Sequence, residues 1–130
     1  MKIAVIAHDG KKAEMVAFLN KHMDFLKSVG TEIVATGTTG KHAQDAGLEV
    51  ERLLSGPLGG DAQIAALVAE HKVSMVISFR DPLGKHPHEP DVQMLMRVCD
   101  VHNIPIATNP ATAEMVIRGF LDIHKEYCQK

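Results

Sequence analysis

Five short apolar runs, each followed by a stretch with helical spacing, constrain this chain more than any other feature of its sequence. The runs are Lys2 to Ala7, Glu32 to Thr36, a weaker one around Val50 to Leu54, Val73 to Phe79, and Ile104 to Thr108. Runs of this length with little polar alternation suit strands buried on both faces, the condition of a parallel sheet. Between them Met15, Phe18, Leu19, His22, Phe25 and Leu26 recur at three-and-four spacing, as do Ile64, Leu67 and Val68, then Val92, Leu95, Met96, Val98 and Cys99. Each set marks a helix with one buried stripe, and Ala111 to Ile123 is expected to close the chain as a further helix. The alternation predicts an α/β fold: a single doubly wound domain over residues 1–130, with a parallel sheet of about five strands flanked by helices and joined by right-handed crossovers.

Composition narrows the function classes. With 130 residues and 45% hydrophobic content the chain can bury a core of its own. A formal net charge of −2, one Tyr, four Phe and no Trp leave neither a basic surface nor stacking platforms, so nucleic acid is not an expected partner. The N-terminal run turns polar at His8-Asp9, too soon for a signal sequence or a membrane span, and the protein is read as cytoplasmic. Cys99 and Cys128 lack C-x-x-C spacing and are read as reduced thiols. Eight histidines form no recurrent zinc spacing, so no metal is expected.

In an open parallel sheet the strand C-termini share one edge, where such folds bind ligands. His8-Asp9-Gly10-Lys11-Lys12 follows the first run, Thr36-Gly37-Thr38-Thr39-Gly40 the second, and Ser55-Gly56-Pro57-Leu58-Gly59-Gly60-Asp61 the third. Arg80-Asp81-Pro82 and Thr108-Asn109-Pro110 end the remaining two. The threonine segment offers hydroxyls and unhindered amides at a helix start, which suits phosphate; equally it is an ordinary turn with Thr38 or Thr39 as N-cap. It carries no Walker lysine and is not G-x-G-x-x-G, so no nucleotide cofactor is indicated. Lys11 or Lys12 could supply a cation, or both could face solvent. Asp61 reads as a helix cap or as a base, and the glycine-rich loop before it favours a carboxylate carried close to a ligand. His8 and His88 are the titratable groups beside it, with Asp81 and Asp91 either side of His88.

His86-Pro87-His88-Glu89-Pro90-Asp91 has the residue types of a metal box, but its two prolines instead describe an extended turn into a helix starting near Pro90. Taken with Ala7-His8-Asp9, Ala35 to Gly40, Ser55 to Asp61 and Asp81-Pro82, the segment from Pro87 to Asp91 makes the chain resemble the methylglyoxal synthase family. The resemblance runs from Met1 to about Ile117.

That resemblance implies conversion of dihydroxyacetone phosphate to methylglyoxal and inorganic phosphate, with no metal or organic cofactor. By similarity Asp61 is the base that takes a proton from the hydroxymethyl carbon, His88 donates to the carbonyl oxygen and moves protons, and Asp91 and Asp81 support them. His8, Lys12, Thr36, Gly37, Thr38, Thr39, Ser55, Gly56 and His88 match the family's substrate-binding positions. A homohexamer and inhibition by phosphate are further expectations, although the family's basic C-terminal tail residue has no counterpart Arg after Arg118, leaving Lys125 or Lys130. Two rival readings keep part of the pattern. A nucleotide-binding regulatory module would need the threonine loop but no base, and an isomerase would share the substrate but not expel phosphate.

Overall fold

The computed structural model describes residues 2–84 and 89–128. Five parallel strands, β1 (Lys2–Ala7), β2 (Glu32–Ala35), β3 (Glu51–Arg52), β4 (Met75–Phe79) and β5 (Ile106–Ala107), form one sheet in the order β3-β2-β1-β4-β5. Among the described residues the five α-helices are α1 (Lys12–Ser28), α2 (Gly37–Asp45), α3 (Gly60–Ala69), α4 (Glu89–Val101) and α5 (Pro110–Cys128). The chain winds outward from β1 to β3, then returns to β1's other side for β4 and β5, so the strand order reverses between β1 and β4.

Residue alternation on the central strands divides the core into two layers. Ile3, Val5, Ala7, Met75, Ile77 and Phe79 pack with Met15, Leu19, Leu26, Ala113 and Ile117 on the side of α1 and α5. Ala4, Ile6 and Val76 pack with Ile64, Val68, Leu95 and Cys99 on the side of α3 and α4. Burial on both faces is why β4 is apolar at four of its five positions; the exception is Ser78, whose buried hydroxyl has no hydrogen-bond partner among the described residues.

Several boundaries differ from the sequence expectation. The expected strand at Val50 to Leu54 shrinks to Glu51–Arg52, because it is an exposed edge that pairs only with β2. β5 spans Ile106–Ala107 rather than Ile104 to Thr108, since Ile104 still bonds back to α4 through Cys99 and Pro105 has no N–H to contribute. β2 and β4 are shorter than their apolar runs for a similar reason: Thr36 already caps α2, and Val73 packs as loop. α5 starts at Pro110, a residue suited to a first helical position, and continues past Ile123 to Cys128. Among the described residues no helix is long and apolar enough to cross a membrane. Cys99 is a free thiol, its pKa pushed up to about 11 by burial and then by the neighbouring Asp100 carboxylate.

Candidate active site

At the edge where β1 and β2 end, a cavity of about 340 Å³ is lined by Ile6, Ala7, His8, Asp9, Lys12, Thr36, Thr38, Ser55, Gly56, Pro57 and Asp61. Its volume lies in the range of small-molecule sites. Three segments distant in sequence therefore meet here, as the parallel sheet requires.

The capping geometry resolves two alternatives left open by the sequence. Thr36, not Thr38 or Thr39, is the N-cap of α2, so Thr38 and Thr39 lie inside its first turn, where amides lack intrahelical acceptors. That turn presents N–H groups and positive potential to an anion. Asp61 is not a cap either: Gly59, at φ 109°, precedes α3, and Asp61 sits within the first turn with only 1% of its surface exposed. Gly60 explains how it gets there. A Cβ on Gly60 would overlap the carbonyl oxygen of Leu54 and lie 3.0 Å from Cγ2 of Thr36, so only glycine lets α3 start against the threonine loop.

Lys12 separates from Lys11 decisively. Lys12 is 8% exposed, and its Nζ donates to the Ala7 carbonyl at 2.6 Å and lies 3.4 Å from Asp9 Oδ1. An ammonium has three hydrogens, so one remains for an anion in the cavity. Lys11 instead pairs with Glu14 at the surface, 3.3 Å away. His8, 4% exposed, has its ring set by the Asp81 backbone N–H, which donates to Nδ1 at 3.1 Å. With Nδ1 accepting, the neutral ring carries its hydrogen on Nε2.

Not every expected residue lines the cavity. Thr39 stands behind it, its hydroxyl accepting from the Ala7 N–H at 3.0 Å and from the Thr36 hydroxyl at 3.2 Å. Gly37 likewise contributes from behind, donating its N–H to the Leu54 carbonyl at 3.0 Å. Asp81 reaches the site through His8, while its carboxylate accepts from the Leu83 N–H at 3.0 Å. Asp91 is exposed in the first turn of α4 and is absent from the described lining. His88 lies outside the described residues. Ile6, Ala7, Asp9 and Pro57 also line the cavity; Ala7, Asp9 and Pro57 sit inside motifs that the sequence already marks, but nothing in a strand-end Ile signals a site. Among the described residues no cluster of His, Cys, Asp and Glu could hold a metal ion.

The cavity brings the Asp61 carboxylate, the Lys12 ammonium and the first turn of α2 together, and comparison with known proteins identifies the family. The family model described as the MGS-like domain matches residues 16–108. The methylglyoxal synthase of Carboxydothermus hydrogenoformans is 56% identical over 120 residues, spanning 92% of this chain and 98% of the relative. This chain belongs to the methylglyoxal synthase family. The methylglyoxal synthase of Moorella thermoacetica is 52% identical over 123 residues, with 94% of each chain covered. The crystal structure of methylglyoxal synthase from Elizabethkingia anophelis superposes with a TM-score of 0.81 at 43% identity, over 88% of this chain and 75% of that one. The chain thus shares its sequence with methylglyoxal synthase relatives and its fold with a methylglyoxal synthase of solved structure.

Proposed function

We propose that this protein is a methylglyoxal synthase, a carbon-oxygen lyase that converts dihydroxyacetone phosphate to methylglyoxal and inorganic phosphate. The observation that carries the reading is the placement of the buried Asp61 carboxylate in the same cavity as Lys12, Thr38 and the Ser55-Gly56 segment. One side of the cavity can hold a phosphate and the other can take a proton.

In this reading the substrate phosphate rests on the first turn of α2, on Ser55 and Gly56, and on the remaining Lys12 hydrogen. Asp61 removes a proton from the hydroxymethyl carbon, leaving an enediolate across the former carbonyl. The Nε2–H of His8 is one donor for the developing oxygen charge; His88 is assigned a second by resemblance, with Asp81 and Asp91 in support. Preformed donors aimed at that oxygen are what make a weak carbon acid reactive. The electrons then move toward the phosphate-bearing carbon, the C–O bond breaks with its pair going to phosphate, and the resulting enol takes up a proton at its methylene carbon and gives up its O–H proton to become methylglyoxal. No water, oxidant or cofactor enters this balance.

Family resemblance extends the proposal to a cytoplasmic homohexamer that draws triose phosphate out of glycolysis and is inhibited by its phosphate product. The discriminating assay follows inorganic phosphate and methylglyoxal together after dihydroxyacetone phosphate is added. Equimolar release is expected. Glyceraldehyde phosphate without free phosphate would identify an isomerase, and saturable binding without turnover would identify a regulatory module.

A further inference from the structure

Leu54 stands between the first turn of α2 and the turn of α3 that carries Asp61, and it is bonded to both. Leu54 lies two residues beyond β3, and the last sheet bond on this path is the Leu53 N–H to the Ala35 carbonyl at 2.8 Å. From there Leu54 is held on both sides by other groups. Its carbonyl accepts from the Gly37 N–H at 3.0 Å and abuts Gly60, while its N–H donates to Oε1 of Gln63 at 2.8 Å. Gln63 is itself in the first turn of α3, its own N–H bonded to the Gly59 carbonyl at 3.0 Å, two residues from Asp61. It is exposed and does not line the cavity.

We infer that Gln63 is a positioning residue that sets the angle between the base and the phosphate cradle, and so determines whether the enediolate expels phosphate or takes its proton back. The inference rests on the functional reading above. Proton removal needs only that the Asp61 carboxylate reach the hydroxymethyl carbon. Elimination is more demanding, because the C–O bond to phosphate must stand across the enediolate plane for its electrons to overlap. Within the loop the Ser55 carbonyl already accepts from the Leu58 and Gly60 N–H groups at 3.0 Å, and the Gln63 side chain adds a second tie, from Leu54 just before Ser55 and Gly56 to the helix turn that carries Asp61. Without that oxygen the Leu54 N–H turns to solvent and the cradle can tilt relative to Asp61. Abstraction then continues while elimination falls behind.

The experiment measures two rates in D2O with dihydroxyacetone phosphate: deuterium incorporation at the hydroxymethyl carbon of unreacted substrate, and release of inorganic phosphate. Gln63→Met removes the acceptor at similar size, and Gln63→Glu retains it. In Gln63→Met the ratio of exchange to elimination is expected to rise roughly 3- to 10-fold, the rate equivalent of one hydrogen bond. In Gln63→Glu it stays within about twofold of the unsubstituted protein. General loss of structure would lower both rates together and leave the ratio alone. An unchanged ratio in Gln63→Met, or an equal rise in both variants, overturns the inference while leaving the functional reading intact. An unsubstituted protein that releases no phosphate overturns the functional reading and this inference with it.

Discussion

The backbone N–H of Asp81 donates to Nδ1 of His8 across 3.1 Å, linking the end of β4 to the end of β1 at the point where the strand order reverses. Because a backbone N–H can only donate, it selects the ring tautomer that carries its hydrogen on Nε2. His8→Asn can keep an acceptor near Asp81 but loses that reach, and is expected to lower kcat/KM for dihydroxyacetone phosphate by about 10²-fold, the usual cost of one charge-stabilising donor. His8→Gln restores a donor near the Nε2 position, and its loss is expected to stay within about 10-fold. Steady-state kinetics of the pair provides the check.

The two adjacent lysines are expected to differ sharply. Lys12→Met removes a cation that the fold buries at the cavity, so KM for dihydroxyacetone phosphate should rise by about 10- to 100-fold, the worth of a charge-assisted bond of 1.5–3 kcal/mol. Lys11→Met deletes only the surface pair with Glu14, and should change KM by no more than about twofold. Competitive inhibition by inorganic phosphate, measured on both variants, should weaken in the first and not in the second.

Gly60→Ala tests the contact that brings Asp61 to the cradle. The added methyl would overlap the Leu54 carbonyl oxygen, so α3 must move away from the threonine loop. A loss of about 2–4 kcal/mol in unfolding free energy is expected, in the range of strained buried substitutions. Urea denaturation gives the first number, and activity of the folded fraction should fall with it because Asp61 moves too.

How much of this was legible in the sequence depended on whether a residue's role was set locally. The runs at β1 and β4 were readable because burial on both faces leaves an apolar stretch that nothing else explains. The extents of the edge strands β3 and β5 were not, since only Glu51-Arg52 and Ile106-Ala107 of the expected runs pair with a neighbour. The conjunction of Asp61 with His8, Lys12, Thr36 and Ser55 was legible because each follows a strand on the same sheet edge. Which threonine caps α2 was not, because Thr36 acquires that place through backbone geometry that its neighbours could equally have adopted. Gln63 carried no chemical signal, as its contact with Leu54 exists only once the loop from Ser55 to Gly59 has folded back on itself.

Far from the cavity, Glu114 on α5 gathers α1 beneath it. Its Oε1 lies 2.8 Å from Lys21 Nζ and 2.9 Å from His22 Nε2, and its Oε2 lies 3.6 Å from Arg118 Nε. The hydrogen bond from Lys21, and then that from His22, hold its carboxyl down from 4.5 to about 2. A carboxyl depressed in the folded state contributes stability that is fully present above its ordinary value and is lost as pH falls toward the depressed one. Glu114→Gln should therefore lower the unfolding midpoint at pH 7 by about 2–5 °C, consistent with a partly exposed cluster worth about 1 kcal/mol or less. The difference from the unsubstituted protein should close between pH 4.5 and 2. Thermal melts across that range decide the matter.

Asp61→Asn bears most directly on the assignment of chemistry to this cavity, because it keeps the shape of the side chain and removes its capacity to accept a proton. The measurement is release of inorganic phosphate from dihydroxyacetone phosphate by the unsubstituted protein and the variant side by side, with phosphate binding to each followed by calorimetry. The unsubstituted protein should release phosphate together with an equal amount of methylglyoxal, and Asp61→Asn should lose at least about 10³-fold in rate while its phosphate affinity stays within about threefold. Turnover by Asp61→Asn within about 10-fold of the unsubstituted protein would contradict the account.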